Sequence, residues 1–320
     1  MALPILHMLA RIQQSIVFLL VAIAVAWAGY CIARGAQAWA AGGLLLVVLG
    51  YLVAIGCEFW SLERSYSPDD RDRPTRKQLL SAWWSEVLAA PPVFLWRQPF
   101  RSRAICDSPS PTVPRRRGVV LVHGFFCNRG IWNPWMERFL EVHVPFVAVN
   151  LEPVLGSIDE YAPRIEAAVS RLETATGRAP VVVAHSMGGL AARAWLRQLG
   201  CGRLHHLVTI GTPHRGTAMA RRAWAKNSRQ MRIGSSWLEA LSAAEASQVR
   251  VAVTCFWSRC DNIVFPIDSA TLPGADNRHL DATPHVRMVY HPQVFAEVMR
   301  LVASAQSLPA GYREKLDDLD

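Results

Sequence analysis

Ionised side chains are almost missing from the first sixty residues of this 320-residue chain: between Arg11 and Glu58, Arg34 stands alone. The stretch Ile12 to Ala33 reads IQQSIVFLLVAIAVAWAGYCIA, and after Arg34-Gly35-Ala36-Gln37 a second apolar run covers Ala38 to Phe59. A surface helix of a soluble domain needs a polar face, and neither run offers one. Each is long enough to cross a hydrocarbon layer of about 30 Å, which takes about 20 apolar residues. Residues 1–60 are therefore expected to form two transmembrane helices in a hairpin. Small residues four apart, Ala22 and Ala26 and then Gly29 and Ala33, would let such helices approach closely in lipid, with Trp27, Trp39 and Trp60 as interface markers. A cleaved signal peptide is the rival reading, with Arg11 as its basic start and Ala36-Gln37-Ala38 as its cleavage site. The length of the first run, and the second run directly behind it, favour an uncleaved anchor.

Cysteine is sparse and unpaired in pattern. None of the 7 Cys stands at a CxxC or metal-ligand spacing, which leaves free thiols in a cytosol-facing domain as the reading, with a Cys255–Cys260 loop disulfide as the alternative. There is no zinc-finger spacing, no RNA-recognition signature and no basic helix with heptads. The formal charge of +9 is thus assigned to an anionic membrane surface, and nucleic acid is excluded as a partner. Arg11 precedes the first run, and Arg64, Arg71, Arg73, Arg76 and Lys77 follow the second. The positive-inside bias places both ends in the cytoplasm, making the chain a multi-pass protein of the inner membrane with its remainder on the cytoplasmic side.

Residues 61–117 read as a juxtamembrane connector. Ser67 to Arg76 is charged and proline-bearing loop. From Thr75 to Ala90, Leu79, Leu80, Trp83, Trp84, Val87 and Leu88 share one helical face, and Pro91-Pro92 is expected to end the helix. That face suits either the headgroup region of a membrane or packing on the domain that follows. Asp107 to Arg117 has the composition of a linker. From Gly118 strands and helices alternate: strands at 118–124, 145–151, 180–184, 204–210, 249–257 and 277–280, and helices at 131–142, 158–176, 188–199 and 292–305. Such alternation implies a parallel, doubly wound α/β sheet with right-handed crossovers, whose ligands bind beyond the carboxyl ends of the strands. Residues 118–305 would form this domain, and 306–320 a tail.

The sharpest local signal is Ala184-His185-Ser186-Met187-Gly188-Gly189, set between the strand VVVA and a helix. A tight strand-to-helix turn with small neighbours exposes the serine hydroxyl above the sheet and backs it with a helix N-terminus. A nucleophilic serine needs a base, and the base needs an orienting acid, here in the chain order serine, acid, histidine. Asp261, in the loop after VAVTCFW, is the candidate acid, with Asp268 as rival. His285, just before the terminal helix, is the candidate base, with His279 and His291 as rivals. An oxyanion would be met by the backbone amides of Phe125 and Met187. His123 and His214 read as structural.

Taken together, VHGFF, AHSMGGL, IGTPHRGT, DNIVFP and a late histidine before a helix resemble the bacterial class 2 lipases and esterases of the α/β-hydrolase superfamily. Gly211 to Thr217 is also similar to a segment of GPI-inositol-deacylase-like hydrolases. The resemblance runs over roughly Gly118 to Ala303 and leaves out the N-terminal hairpin. It implies the α/β-hydrolase fold and carboxylic ester hydrolysis through an acyl-enzyme on Ser186, supported by Asp261 and His285, with a lipid or other apolar ester as substrate and neither metal nor organic cofactor. An acyltransferase or thioesterase would use the same residues, and a non-catalytic membrane protein with a hydrolase-like domain is the further alternative. The insertion at 212–248, with Arg215, Arg221, Arg222, Lys226, Arg229, Arg232, Trp224 and Trp237, is expected to form a cap over the site.

Overall fold

The computed structural model describes residues 8–67, 69–112, 116–200, 202–246 and 252–303. The expected tail 306–320, Cys201, the end of the expected cap at 247–248 and the start of the strand expected from Val249 lie outside these residues.

The two apolar runs form α1 (Met8–Ala33) and α2 (Gln37–Glu63). Both are long and apolar enough to cross a membrane, with mean hydropathies of 2.5 and 2.3. Their middle turns leave side chains such as Phe18, Leu46 and Val47 uncovered. The hairpin closes differently from the expected small-residue stripe. A methyl added at Gly29 would meet nothing within 4 Å, whereas one at Gly43 would strike the Trp27 ring. Trp27 reaches across to donate its Nε1–H to the Trp39 carbonyl at 3.1 Å. The open ends of the hairpin stand on the rest of the molecule. At the start of α1, Met8 and Leu9 donate their amides to Glu152, Gln13 donates to Gln98 at 2.9 Å and Gln14 donates to the Pro99 carbonyl. At the end of α2, Ile55, Phe59 and Leu62 share a core with Ala82, Val87, Cys260 and Phe265.

The connector helix α3 (Arg76–Pro91) starts as its sequence dictates. Thr75 and Gln78 form a capping box that satisfies two amides reciprocally. It does not stop at Pro91-Pro92. The chain continues through a π-helical turn (Pro92–Arg97) into α4 (Gln98–Phe100). Pro91 lacks the N–H that would bond the Val87 carbonyl, and the Tyr51 hydroxyl of α2 donates to that carbonyl instead, at 2.9 Å. An outside donor thus compensates the lost bond, and the helix survives its prolines. The apolar face of α3 is divided. Ala82 and Val87 are buried and Leu79 and Trp83 pack against the same core, while Leu80, Trp84 and Leu88 stay exposed together with Leu95 and Trp96 of the π turn. The expected linker is also structured in part. Ser108 pairs with Phe146 in an antiparallel bridge, and Asp107 holds Arg129 at 2.6 Å and accepts from the Ala148 amide, so this stretch covers an otherwise open sheet edge.

The strands of the second half are β1 (Val119–Val122), β2 (Phe146–Ala148), β3 (Val181–His185), β4 (His206–Ile210), β5 (Val253–Trp257) and β6 (Asp276–His279). They form one parallel sheet in the order β2-β1-β3-β4-β5-β6. The intervening helices are α5 (Asn133–Glu141), α6 (Ala162–Thr176), α7 (Met187–Leu199), α8 (Lys226–Gln230), α9 (Ser236–Ala246), α10 (His285–Met288) and α11 (Pro292–Ala303). Because side chains alternate along a strand, β1 and β3 feed two cores. Val119, Leu121, Val181 and Val183 meet Trp135, Met136 and Phe139 of α5 and Val294, Phe295 and Val298 of α11. Val120, Val122, Val182 and Ala184 meet Ile165, Val169 and Leu172 of α6 and Leu190 and Trp195 of α7. The strand order reverses at β1 and β3, which opens a crevice at their carboxyl ends. Replacing Tyr51 with Phe leaves the Val87 carbonyl without its donor. The thermal midpoint of the detergent-solubilised chain should fall by the equivalent of about 1–3 kcal/mol. An unchanged midpoint by tryptophan fluorescence would mean that α3 needs no outside donor at Pro91.

Candidate active site

Ser186 occupies the turn between β3 and α7 with φ 55° and ψ −128°, a left-handed backbone that a residue with a Cβ adopts only where its surroundings enforce it. Both sides of the turn are pinned. The Ser186 amide donates to the Ile210 carbonyl at 2.8 Å, and the Thr212 hydroxyl donates to the Ser186 carbonyl at 2.9 Å. The glycines supply clearance. A methyl at Gly188 would lie 2.6 Å from the His123 carbonyl oxygen, and one at Gly124 would lie 2.8 Å from Ser186 Cβ. The loop after β1 therefore runs against the elbow. The Ser186 side chain caps none of the α7 amides, so capping does not account for a serine there.

Asp261 is fully buried in the loop after β5. Its Oδ1 accepts from the amides of Ile263 and Val264, each at 2.9 Å, and both carboxylate oxygens lie 3.0 Å from His285 Nδ1. This bond leaves His285 Nε2 as the ring nitrogen free to act as a base. Burial pushes the His285 pKa down, but the Asp261 carboxylate and its hydrogen bond, with Glu86 and Glu58 further off, hold it above the ordinary histidine value. The His285 ring packs 4.6 Å, centroid to centroid, from the ring of His185, the residue before Ser186. His185 is kept uncharged, its pKa depressed chiefly by burial. Among the described residues no hydrogen bond joins the Ser186 hydroxyl to His285, so the contact is closed between Asp261 and His285 and open towards Ser186. Such bonds commonly tighten only when substrate is bound.

The rival residues are engaged elsewhere. Asp268 is an exposed partner of Arg215 at 3.4 Å. His279 lies against the Trp257 ring, and His291 Nδ1 accepts from the Gln293 amide at the start of α11. His123 accepts from the Leu151 amide through Nε2 and donates through Nδ1 to the Gly124 carbonyl. Burial pushes its pKa down to about 4, which suits a neutral strut that fixes the loop bearing Phe125. His214 is buried between Thr209 and Arg193. Cys255 and Cys260 are separate free thiols. Met187 is the first residue of α7, where helical geometry leaves the amide without an intrahelical acceptor. In the insertion, Met231, Leu238 and Leu241 are buried in the core shared with α6 and α7, and Trp237 donates to Asp159. Trp224, at 78% exposure, is its most open aromatic.

Two groups beside this site escaped the sequence reading. Glu86 of α3 accepts the Val286 amide at 3.0 Å and the Arg287 amide at 3.3 Å. Glu58 of α2 accepts from Asn262 Nδ2 at 2.6 Å, and Asn262 Oδ1 accepts the His285 amide at 3.1 Å. The available signal was an acid placed on the face of α3 that also carries Leu79, Ala82 and Trp83, where an apolar residue is the ordinary occupant.

Residues 119–298 match the family model described as the alpha/beta hydrolase family. Among solved structures, the mature lipase BlEst2 of Bacillus licheniformis superposes with a TM-score of 0.53 at 16% identity, over 60% of this chain and 95% of that one. Aspergillus fumigatus lipase B gives 0.52 at 19% identity, over 66% of this chain and 58% of that one. At these identities the likeness is one of fold. No curated protein sequence matches the chain. The six parallel strands in this order, and a family match running through more than half of the sequence, make the chain a member of the α/β-hydrolase family.

Proposed function

We propose that the chain is a membrane-anchored serine carboxylic ester hydrolase, a lipase or esterase, acting on a lipid or another apolar ester. The observation that carries this reading is the His285 imidazole locked by buried Asp261 at the same end of the sheet as Ser186 in its strained turn. In the proposed reaction His285 Nε2 takes the Ser186 hydroxyl proton as Oγ attacks the ester carbonyl carbon. The amides of Phe125 and Met187 donate to the oxyanion. The intermediate collapses, the alcohol leaves with the proton from His285, and the acyl group remains on Ser186. Water then gives its proton to His285, attacks the acyl carbon and releases the acid, and the proton returns to Ser186. Membrane attachment is supported by the length and hydropathy of α1 and α2 and by exposed Leu80, Trp84, Leu88 and Trp96 beside them. The basic residues at both ends of the hairpin support a cytoplasmic position for the enzyme.

Replacing Ser186 with Ala should abolish hydrolysis of p-nitrophenyl esters and labelling by a fluorophosphonate while the melting curve stays in place; retained turnover rejects the assignment. His285 must be unprotonated to act, and its pKa is raised. The acidic limb of kcat/KM with a neutral ester should therefore lie at higher pH than for an ordinary histidine of about 6.5. Asp261→Asn should move that limb to lower pH and cut kcat by about ten-thousand-fold, whereas a limb that stays put would remove Asp261 from the relay. Cys106 is an exposed thiol. A membrane-impermeant maleimide should label it in inside-out but not right-side-out vesicles, with Cys106→Ser as background; the opposite pattern reverses the topology.

A further inference from the structure

We propose that Glu86 is a positioning residue for His285: from the juxtamembrane helix α3, its carboxylate fixes the turn that presents the imidazole, so the N-terminal helices complete the catalytic relay. The proposal rests on the serine hydrolase reading above.

The short helix α10 begins at His285, so its first amides have no partners within the helix. Pro284, just before it, offers no side-chain cap. Every one of these amides is met from outside. The His285 amide donates to Asn262, and those of Val286 and Arg287 donate to the two oxygens of Glu86. Met288 is the first to bond within its own turn, to the Pro284 carbonyl. Glu86 is 3% exposed, and a buried carboxylate is costly unless its oxygens are used. Here both oxygens serve the residues directly after the base. The opposite side of the relay is held in the same way. Asn262, the neighbour of Asp261, is fixed by Glu58 of α2. The backbones beside the acid and beside the base are thus each tied to a glutamate from the N-terminal helices.

The charge acts as well as the bonds. The charged and titratable groups facing Glu86 are His285 of α10, Asp261 of the β5 loop and Tyr51 of α2; Arg287, also on α10, is exposed. Burial pushes the Glu86 carboxyl up to about 7, with the Val286 amide opposing. Its charge is then present above neutrality. A negative neighbour favours the imidazolium that forms during attack.

The test uses the full chain in one detergent, p-nitrophenyl butyrate as probe, and the variants Glu86→Gln, Glu86→Asp, Gln78→Ala and Ser186→Ala. A glutamine at 86 keeps one accepting oxygen and loses the charge. Its kcat should fall about tenfold or more, with KM within about twofold, and its acidic limb should move to lower pH. An aspartate keeps the charge with a shorter reach, so kcat should fall while the limb stays at the wild-type pH. Gln78 ties α3 to Asp281 without touching the α10 amides, and its replacement should leave kcat and the limb unchanged. Wild-type kcat and limb in Glu86→Gln would overturn the proposal. So would both changes appearing in Gln78→Ala, which would point to general loosening of α3. If Glu86→Gln does not fold, wild-type kcat in Glu86→Asp overturns it. Turnover surviving in Ser186→Ala would bring down the hydrolase reading and this proposal with it, whereas a dead Ser186→Ala beside a wild-type Glu86→Gln sinks the proposal alone.

Discussion

A carboxylate with no exposed surface needs hydrogen bonds on every side, and Asp261 has them: two backbone amides from its own loop and the imidazole of His285. That requirement organises the carboxyl end of the sheet. The β5 loop must curl back to supply the Ile263 and Val264 amides, and α10 must begin at the residue that supplies the imidazole. The ring then lies tilted at 44° beside His185, which brings it next to the turn carrying Ser186. Unpaired, the same carboxylate would be a liability of several kcal/mol; paired, it selects one tautomer and one orientation of the base.

The N-terminal helices belong to this arrangement, although nothing in the α/β sheet requires them. Apolar packing at the end of α2 and along α3 reaches Cys260 and Phe265, on either side of Asp261. Buried Glu86 and half-buried Glu58 extend from that packing to the backbone around Asn262 and His285. The same helices expose Phe18, Leu46, Trp84 and Leu88 on their other sides. An element with an exposed apolar surface on one side and Asp261 and His285 on the other would connect the anchor of the proposed enzyme to its chemistry.

Local rules served well where a residue's neighbours in sequence are its neighbours in space. The short continuous apolar runs and the small residues around Ser186 each read directly into structure. They misled where a distant group intervened. Pro91-Pro92 reads as a helix end, because a proline removes a donor and local sequence supplies no replacement; the replacement is Tyr51, forty residues earlier on another helix. Gly29 and Ala33 read as a packing stripe, yet the hairpin closes on Trp27 and Gly43. Glu86 drew no reading at all, since its partners lie 200 residues away.

The alternation that makes a parallel sheet, the two long apolar helices and the turn that holds Ser186 follow from local sequence, because periodicity, run length and the steric demands of a tight turn are properties of adjacent residues. The chain order of serine, acid and histidine favoured Asp261 and His285 over their rivals without bringing them into contact. Which aspartate meets which imidazole, and which glutamates brace the pair, was decided only by the tertiary structure. Those contacts depend on strand order and on how helices from opposite ends of the chain pack, and no local pattern encodes a distance between residues so far apart.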